Sequence, residues 1–149
     1  MAHSIDDIGM RSKGTANYRA PELGAGACKN TKAADIYSAG ILLFVLLAGT
    51  FPYMEDALVQ GHELYAVMRN DPDYFWKIHE GIQKDRVHFD QDFKDLFMSM
   101  VRVDPSERAS LEEIKSNKWF QGPTYSLEGV YFKLCELGVI QNDLLIQTD

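Results

Sequence analysis

The sequence predicts a mainly α domain organised around one central, buried helix. Three observations lead there. Seven large apolar residues run unbroken from Ile41 to Leu47. Phe93, Leu96, Phe97, Met100 and Val101 recur at i, i+3, i+4, i+7 and i+8, which places them on one helical face. Helix punctuation such as Ser110-Leu111-Glu112-Glu113 recurs between apolar segments, and no stretch alternates clearly as a half-buried strand does.

The central run fits neither an alternating strand nor a surface helix with a polar stripe. It is also short of the roughly 20 apolar residues that cross a bilayer. Asn30 or Thr31 is a candidate N-cap, Asp35 is placed in the first turn and Gly49 follows the end. The expectation is a helix of about four turns that is apolar all round and therefore enclosed. Burying seven such side chains is worth on the order of 10–20 kcal/mol, so the remaining chain should pack around it.

The other elements follow in order. Residues 1–30, with Gly14, Gly24 and Gly26 among small polar residues, read as extended loop with at most one helical turn near Pro21-Glu22-Leu23. Gly49-Thr50-Phe51-Pro52-Tyr53 stops the central helix. Asp56 is placed as the cap of a helix reaching about Arg69, with Leu64, Tyr65 and Met68 on one face. Residues 70–90 read as loop-rich, with a turn at Asn70-Asp71-Pro72 and a helical turn in Tyr74-Phe75-Trp76-Lys77-Ile78. Asp90 is placed as the cap of the amphipathic helix, and Asp104-Pro105-Ser106 ends it. The capping box at Ser110 opens a short helix to about Asn117, with Trp119 and Phe120 plugging the core behind it. Ser126 starts a last helix through Tyr131, Phe132 and Leu134, closed by Gly138.

Bulk properties narrow the function classes. At 149 residues the chain is one domain at most, and its net charge of −7 argues against nucleic acid and anionic membranes as partners. Cys28 and Cys135 have no metal-type spacing and read as free thiols. The N-terminus Met1-Ala2-His3-Ser4-Ile5-Asp6-Asp7 lacks the regions of a signal peptide, so the expected address is the cytosol or nucleus. His3, His62, His79 and His88 lack an i, i+4 pairing and read as surface residues, with no metal site. Gly24-Ala25-Gly26 lacks the third glycine and the Lys-Ser/Thr of a phosphate loop, and reads as a connector. Glu112-Glu113 reads as a solvated helix face.

One constellation is specific. Gly14-Thr15-Ala16-Asn17-Tyr18-Arg19-Ala20-Pro21-Glu22-Leu23 resembles the end of the activation segment of eukaryotic protein kinases, which closes in A-P-E. Asp35-Ile36-Tyr37-Ser38-Ala39-Gly40 is similar to the family's D-x-W-S-x-G. Gly49-x-x-Pro52-Tyr53 is similar to its G-x-x-P-F, and Asp104-Pro105-x-x-Arg108 to its D-P-x-x-R. The four motifs cover roughly residues 12–120, in the family's order.

The resemblance implies a protein kinase-like fold of the serine/threonine class, reduced to an incomplete C-terminal (helical) lobe. It divides the chain into an activation-segment-like loop (1–30), a helical-lobe core (31–121) and a tail with a short helix (122–149). Glu22 and Arg108 would form a buried ion pair joining Ala20-Pro21-Glu22 to the lobe. Asp35 would hold the backbone of the catalytic loop, Gly40 belongs to the same motif, and Leu42 and Leu46 would support the apolar column beneath the nucleotide. Gly14, Thr15, Tyr18 and Arg19 would face a protein substrate, and Ser12 is the candidate for activating phosphorylation. Tyr37 replaces the usual Trp. Asn17 and Val45 stand where kinases with basic substrates often carry acids, and Arg19 replaces a small or apolar residue.

Phosphoryl transfer in this family needs a glycine-rich loop, a strand lysine, H-R-D and D-F-G. None occurs in the sequence. The chain therefore reads as a kinase fragment without catalytic residues, binding no cofactor itself. ATP and Mg2+ would belong to the intact kinase, with a missing N-terminal half as partner. The alternative is a non-catalytic kinase-like module that binds a partner protein through the segments near 56–69 and 126–138. Either way the central helix is expected to leave apolar surface uncovered.

Overall fold

A computed structural model describes residues 16–23, 30–53 and 63–139. Six α-helices occur among these residues: α1 Thr31–Ala48, α2 Glu63–Asn70, α3 Pro72–Gln83, α4 Gln91–Met100, α5 Leu111–Ser116 and α6 Leu127–Glu136. Short 3-10 turns at Ala16–Tyr18 and Pro21–Leu23 precede them, and no strand occurs among the described residues. The proposed Asp56 cap, Cys28, His3, His62 and the Gly24–Gly26 connector lie outside the described residues.

Local chemistry accounts for the ends. The Asn30 side chain accepts the Ala33 amide at 3.1 Å, opening α1. Gly49 closes it at φ 68°, a left-handed conformation that glycine takes without cost. Asp90 caps α4 by accepting the Phe93 amide at 2.7 Å. Ser110 and Glu113 form a reciprocal capping box on α5. The two Ser110 hydrogen bonds hold the Glu113 carboxyl below its usual pKa. Ser126 caps α6 and Gly138 follows it at φ 69°.

α1 packs on α4, and Phe44 is the hub. Its ring meets Phe75, Trp76 and His79 of α3 at 6.2, 6.0 and 4.8 Å between centroids. Phe89 stacks on it at 5.6 Å, and Phe97 of α4 lies at 5.0 Å. Gly40 permits the close crossing, since a Cβ there would lie 3.0 Å from Met100 Cβ. A second cluster joins Leu96, Met100 and Ile114, with Trp119 half-buried against it.

Several expectations need correction. α1 is 18 residues long, about five turns, and Asp35 lies beyond its first turn. It is not enclosed on every side: Leu42 is 47% exposed and Leu46 74%. The described residues cover the face carrying Tyr37, Ile41 and Phe44, and leave the stripe Asp35, Ala39, Leu42 and Leu46 outside. Residues 72–83 are helix rather than loop. Asn70-Asp71-Pro72 is a helix start, because Asp71 accepts the Tyr74 amide at 3.1 Å and Pro72 occupies the first turn. Phe120 is half exposed and does not plug the core.

His79 is the largest departure, being buried rather than superficial. Its Nε2 lies 2.9 Å from the Pro52 carbonyl and so donates to it. Gln83, one turn on, donates to the Ala48 carbonyl at 2.7 Å. These two bonds fix α3 to the end of α1 and satisfy a carbonyl that helix termination leaves open. Burial lowers the His79 pKa below 6.5 more than the Pro52 bond raises it. Since only the unfolded chain takes up the proton near 6.5, stability is full above that pH and falls as pH drops toward the lowered folded value. Urea titrations across this window should show that loss at up to about 1.4 kcal/mol per pH unit, and the His79→Gln variant should lack it.

Candidate functional site

Residues from three of the motifs, Glu22, Tyr37 and Arg108, meet at one side chain. Arg108 is seated between the Pro21–Leu23 turn, the first turns of α1 and the loop between α4 and α5. Its side chain is 1% exposed. A guanidinium carries five N–H donors, and each has a partner. Nε donates to the Arg102 carbonyl at 2.7 Å. Nη1 donates to Glu22 Oε1 at 2.6 Å and to the Ala33 carbonyl at 2.8 Å. Nη2 donates to Glu22 Oε2 at 2.7 Å and to the Val103 carbonyl at 3.2 Å. The flat face of the cation lies 4.9 Å from the centre of the Tyr37 ring.

This geometry turns a charge that burial alone would make very costly into a joint. The carboxylate meets two nitrogens in parallel, a fork that lysine cannot reproduce. Ser106 shapes the loop upstream, where its amide and hydroxyl donate to Asp104 Oδ1 at 2.8 and 2.7 Å. Those bonds hold the Asp104 carboxyl below its usual pKa.

The segment ending in Glu22 is fixed by its own contacts. Ala20 is fully buried, and its carbonyl accepts the Leu23 amide at 3.1 Å, closing the turn over Pro21. Ser38 Oγ donates to the Tyr18 carbonyl at 2.9 Å, and the Tyr18 ring meets Phe51 edge-on at 5.1 Å. Arg19 is half-buried beside it. Ser12, Gly14 and Thr15 lie outside the described residues. Asp35 is exposed, makes no ion pair with Arg108, and helps line a groove of about 700 Å³ with Ile36, Ala39, Pro105, Arg108 and Leu111. Leu42 and Leu46 continue the exposed face of α1.

A family profile described as the protein kinase domain matches residues 3–120. The chain belongs to the protein kinase family. The serine/threonine protein kinases OSK3 and OSK4 of rice, Oryza sativa subspecies indica and japonica, are each 34% identical to it over 110 residues. That stretch is 74% of this chain and 19% of each relative, so the chain spans about a fifth of their length. The partial kinase domain agrees with the helical architecture, an incomplete helical lobe.

Motif reasoning pointed to Glu22 and Arg108 but not to the three backbone carbonyls that complete the seat, which side-chain spacing cannot reveal. It also missed the link between Tyr37 and Tyr53, whose hydroxyls are 2.6 Å apart. The signal was present: both tyrosines replace an aromatic without a hydroxyl in the family pattern, and each added hydroxyl meets the other.

Glu22→Ala should destabilise the chain by about 3–5 kcal/mol, since it strands a fully buried cation. Glu22→Gln combined with Arg108→Met should cost less than the two changes summed. Urea unfolding of the five proteins, wild type included, checks both expectations, and additive losses would contradict the joint.

Proposed function

We propose that this chain forms the lower, substrate-facing part of the helical lobe of a serine/threonine protein kinase. ATP-dependent phosphorylation of a protein substrate is then a property of the intact kinase, whose nucleotide-binding and catalytic parts come from sequence outside these 149 residues. The observation that carries this reading is the forked Glu22–Arg108 pair, which joins residues 86 positions apart at a kinase-type segment end.

The residues present do not fit ATP or Mg2+. The sequence has no D-F-G, H-R-D or glycine-rich phosphate loop, and among the described residues no group of three or more His, Cys, Asp or Glu could hold a metal ion. No step of phosphoryl transfer is assigned to a side chain of this chain. Gly14, Thr15, Tyr18 and Arg19 instead meet the protein substrate, and Ser12 takes the activating phosphate. Asp35, Leu42 and Leu46 meet the missing half. Asn17 and Val45 supply no acid, so a basic substrate is not selected there. The cytosol or nucleus is the setting, without nucleic acid or membrane as partner.

A second reading has its own observation. α6 buries none of its residues and exposes Leu127, at 92%, and Phe132. A non-catalytic module would use that helix, together with α2, to bind a partner protein. The coding sequence upstream of Met1 separates the two readings. An in-frame D-F-G and H-R-D supports the kinase fragment, and a stop codon without them supports the module.

The purified chain, given ATP, Mg2+ and a protein substrate, should incorporate no phosphate above an enzyme-free blank; Mg2+-dependent incorporation would overturn the fragment reading. It should also self-associate or bind a hydrophobic dye through the open face of α1. Leu46→Glu should weaken that response with a stability change within about 0.5 kcal/mol. A monodisperse monomer that leaves the dye dark would contradict the uncovered face.

A further inference from the structure

A continuous file of buried groups runs from the Arg108 seat to α2. The guanidinium lies on the Tyr37 ring, and the Tyr37 hydroxyl bonds the Tyr53 hydroxyl at 2.6 Å. The Tyr53 ring meets Tyr65 of α2 edge-on at 5.3 Å. Arg69, one turn further along α2, places its guanidinium 5.7 Å from the centre of the Tyr65 ring. Glu22 therefore stands at one end of the file and the solvent side of α2 at the other. Tyr37, Tyr53 and Tyr65 are all buried. The Tyr65 hydroxyl has no hydrogen-bond partner among the described residues.

We infer that this file couples the Glu22–Arg108 pair to the position of α2, so that loosening the pair loosens α2 ahead of the rest of the lobe. By reciprocity, a protein partner that engages α2 changes the order of the segment ending in Glu22. The physical link is packing and one hydroxyl pair in a desolvated setting, where a lost partner is felt strongly. It is independent of whether the intact protein transfers phosphate. α4 provides the internal comparison, because its Phe93 and Phe97 pack on Phe44 of α1 and make no ring contact with the three tyrosines.

Amide hydrogen exchange on the full chain tests the coupling. Glu22→Gln should reduce protection in α2 at least about fivefold more than in α4. In a Tyr37→Phe/Tyr53→Phe background that excess should vanish. Equal losses in α2 and α4, or an excess that survives the double substitution, would overturn the inference. If Glu22→Gln does not fold, Tyr53→Phe alone cuts the file at its centre. It should speed exchange relative to α4 both in α2 and at the Ala109 amide, which bonds the Ser99 carbonyl at 3.1 Å. An unchanged ratio at either end would overturn the inference equally.

Discussion

The constraint on which this structure turns is the need to satisfy a fully buried guanidinium. Arg108 has lost its hydration, and its desolvation cost is met only where every N–H finds an acceptor. That requirement draws a carboxylate from near the N-terminal end of the described chain. It also draws a carbonyl from the start of α1 and two from the loop after α4. Three segments distant in sequence are thereby held at one point. Tyr37 covers the face of the cation, so the family motif at the head of α1 and the one before α5 are parts of a single joint.

The second organising demand is apolar. α1 has the length and composition that a bilayer-crossing helix would need, yet its Phe44 face is filled by aromatic rings from α3 and α4, as in the core of a folded domain. The opposite stripe from Asp35 to Leu46 has no such cover among the described residues. A seven-residue apolar run makes sense where both sides are enclosed, and in the proposed reading the open side is covered by the missing half of the kinase. The relatives are about five times longer than the matched stretch.

How much of this was legible depended on where the information resides. Capping chemistry is local, so Asp90, Ser110, Ser126 and the glycines after α1 and α6 could be read directly. The face of α4 was legible from its period. α3 was not, because Asp71-Pro72 carries the same residues as a turn, and only the burial of Phe75, Trp76 and His79 around Phe44 decides for helix. His79 illustrates the general difficulty: a lone histidine resembles a surface residue until a carbonyl 27 positions away is folded against it. At the candidate site, spacing indicated the charged partners, whereas backbone acceptors and the paired tyrosine hydroxyls required three-dimensional proximity. The exposure of Leu42 and Leu46 was foreseeable only through the family resemblance, since hydropathy alone calls for their burial.

The seat of Arg108 is tested most directly by nitrogen-15 NMR of the arginine side chains at neutral pH. A guanidinium with all five donors held should give separately resolved Nη–H signals, and an Nε–H that exchanges with solvent far more slowly than those of exposed Arg86 and Arg102. Averaged Nη–H signals and an Nε–H that exchanges as fast as theirs would contradict the account.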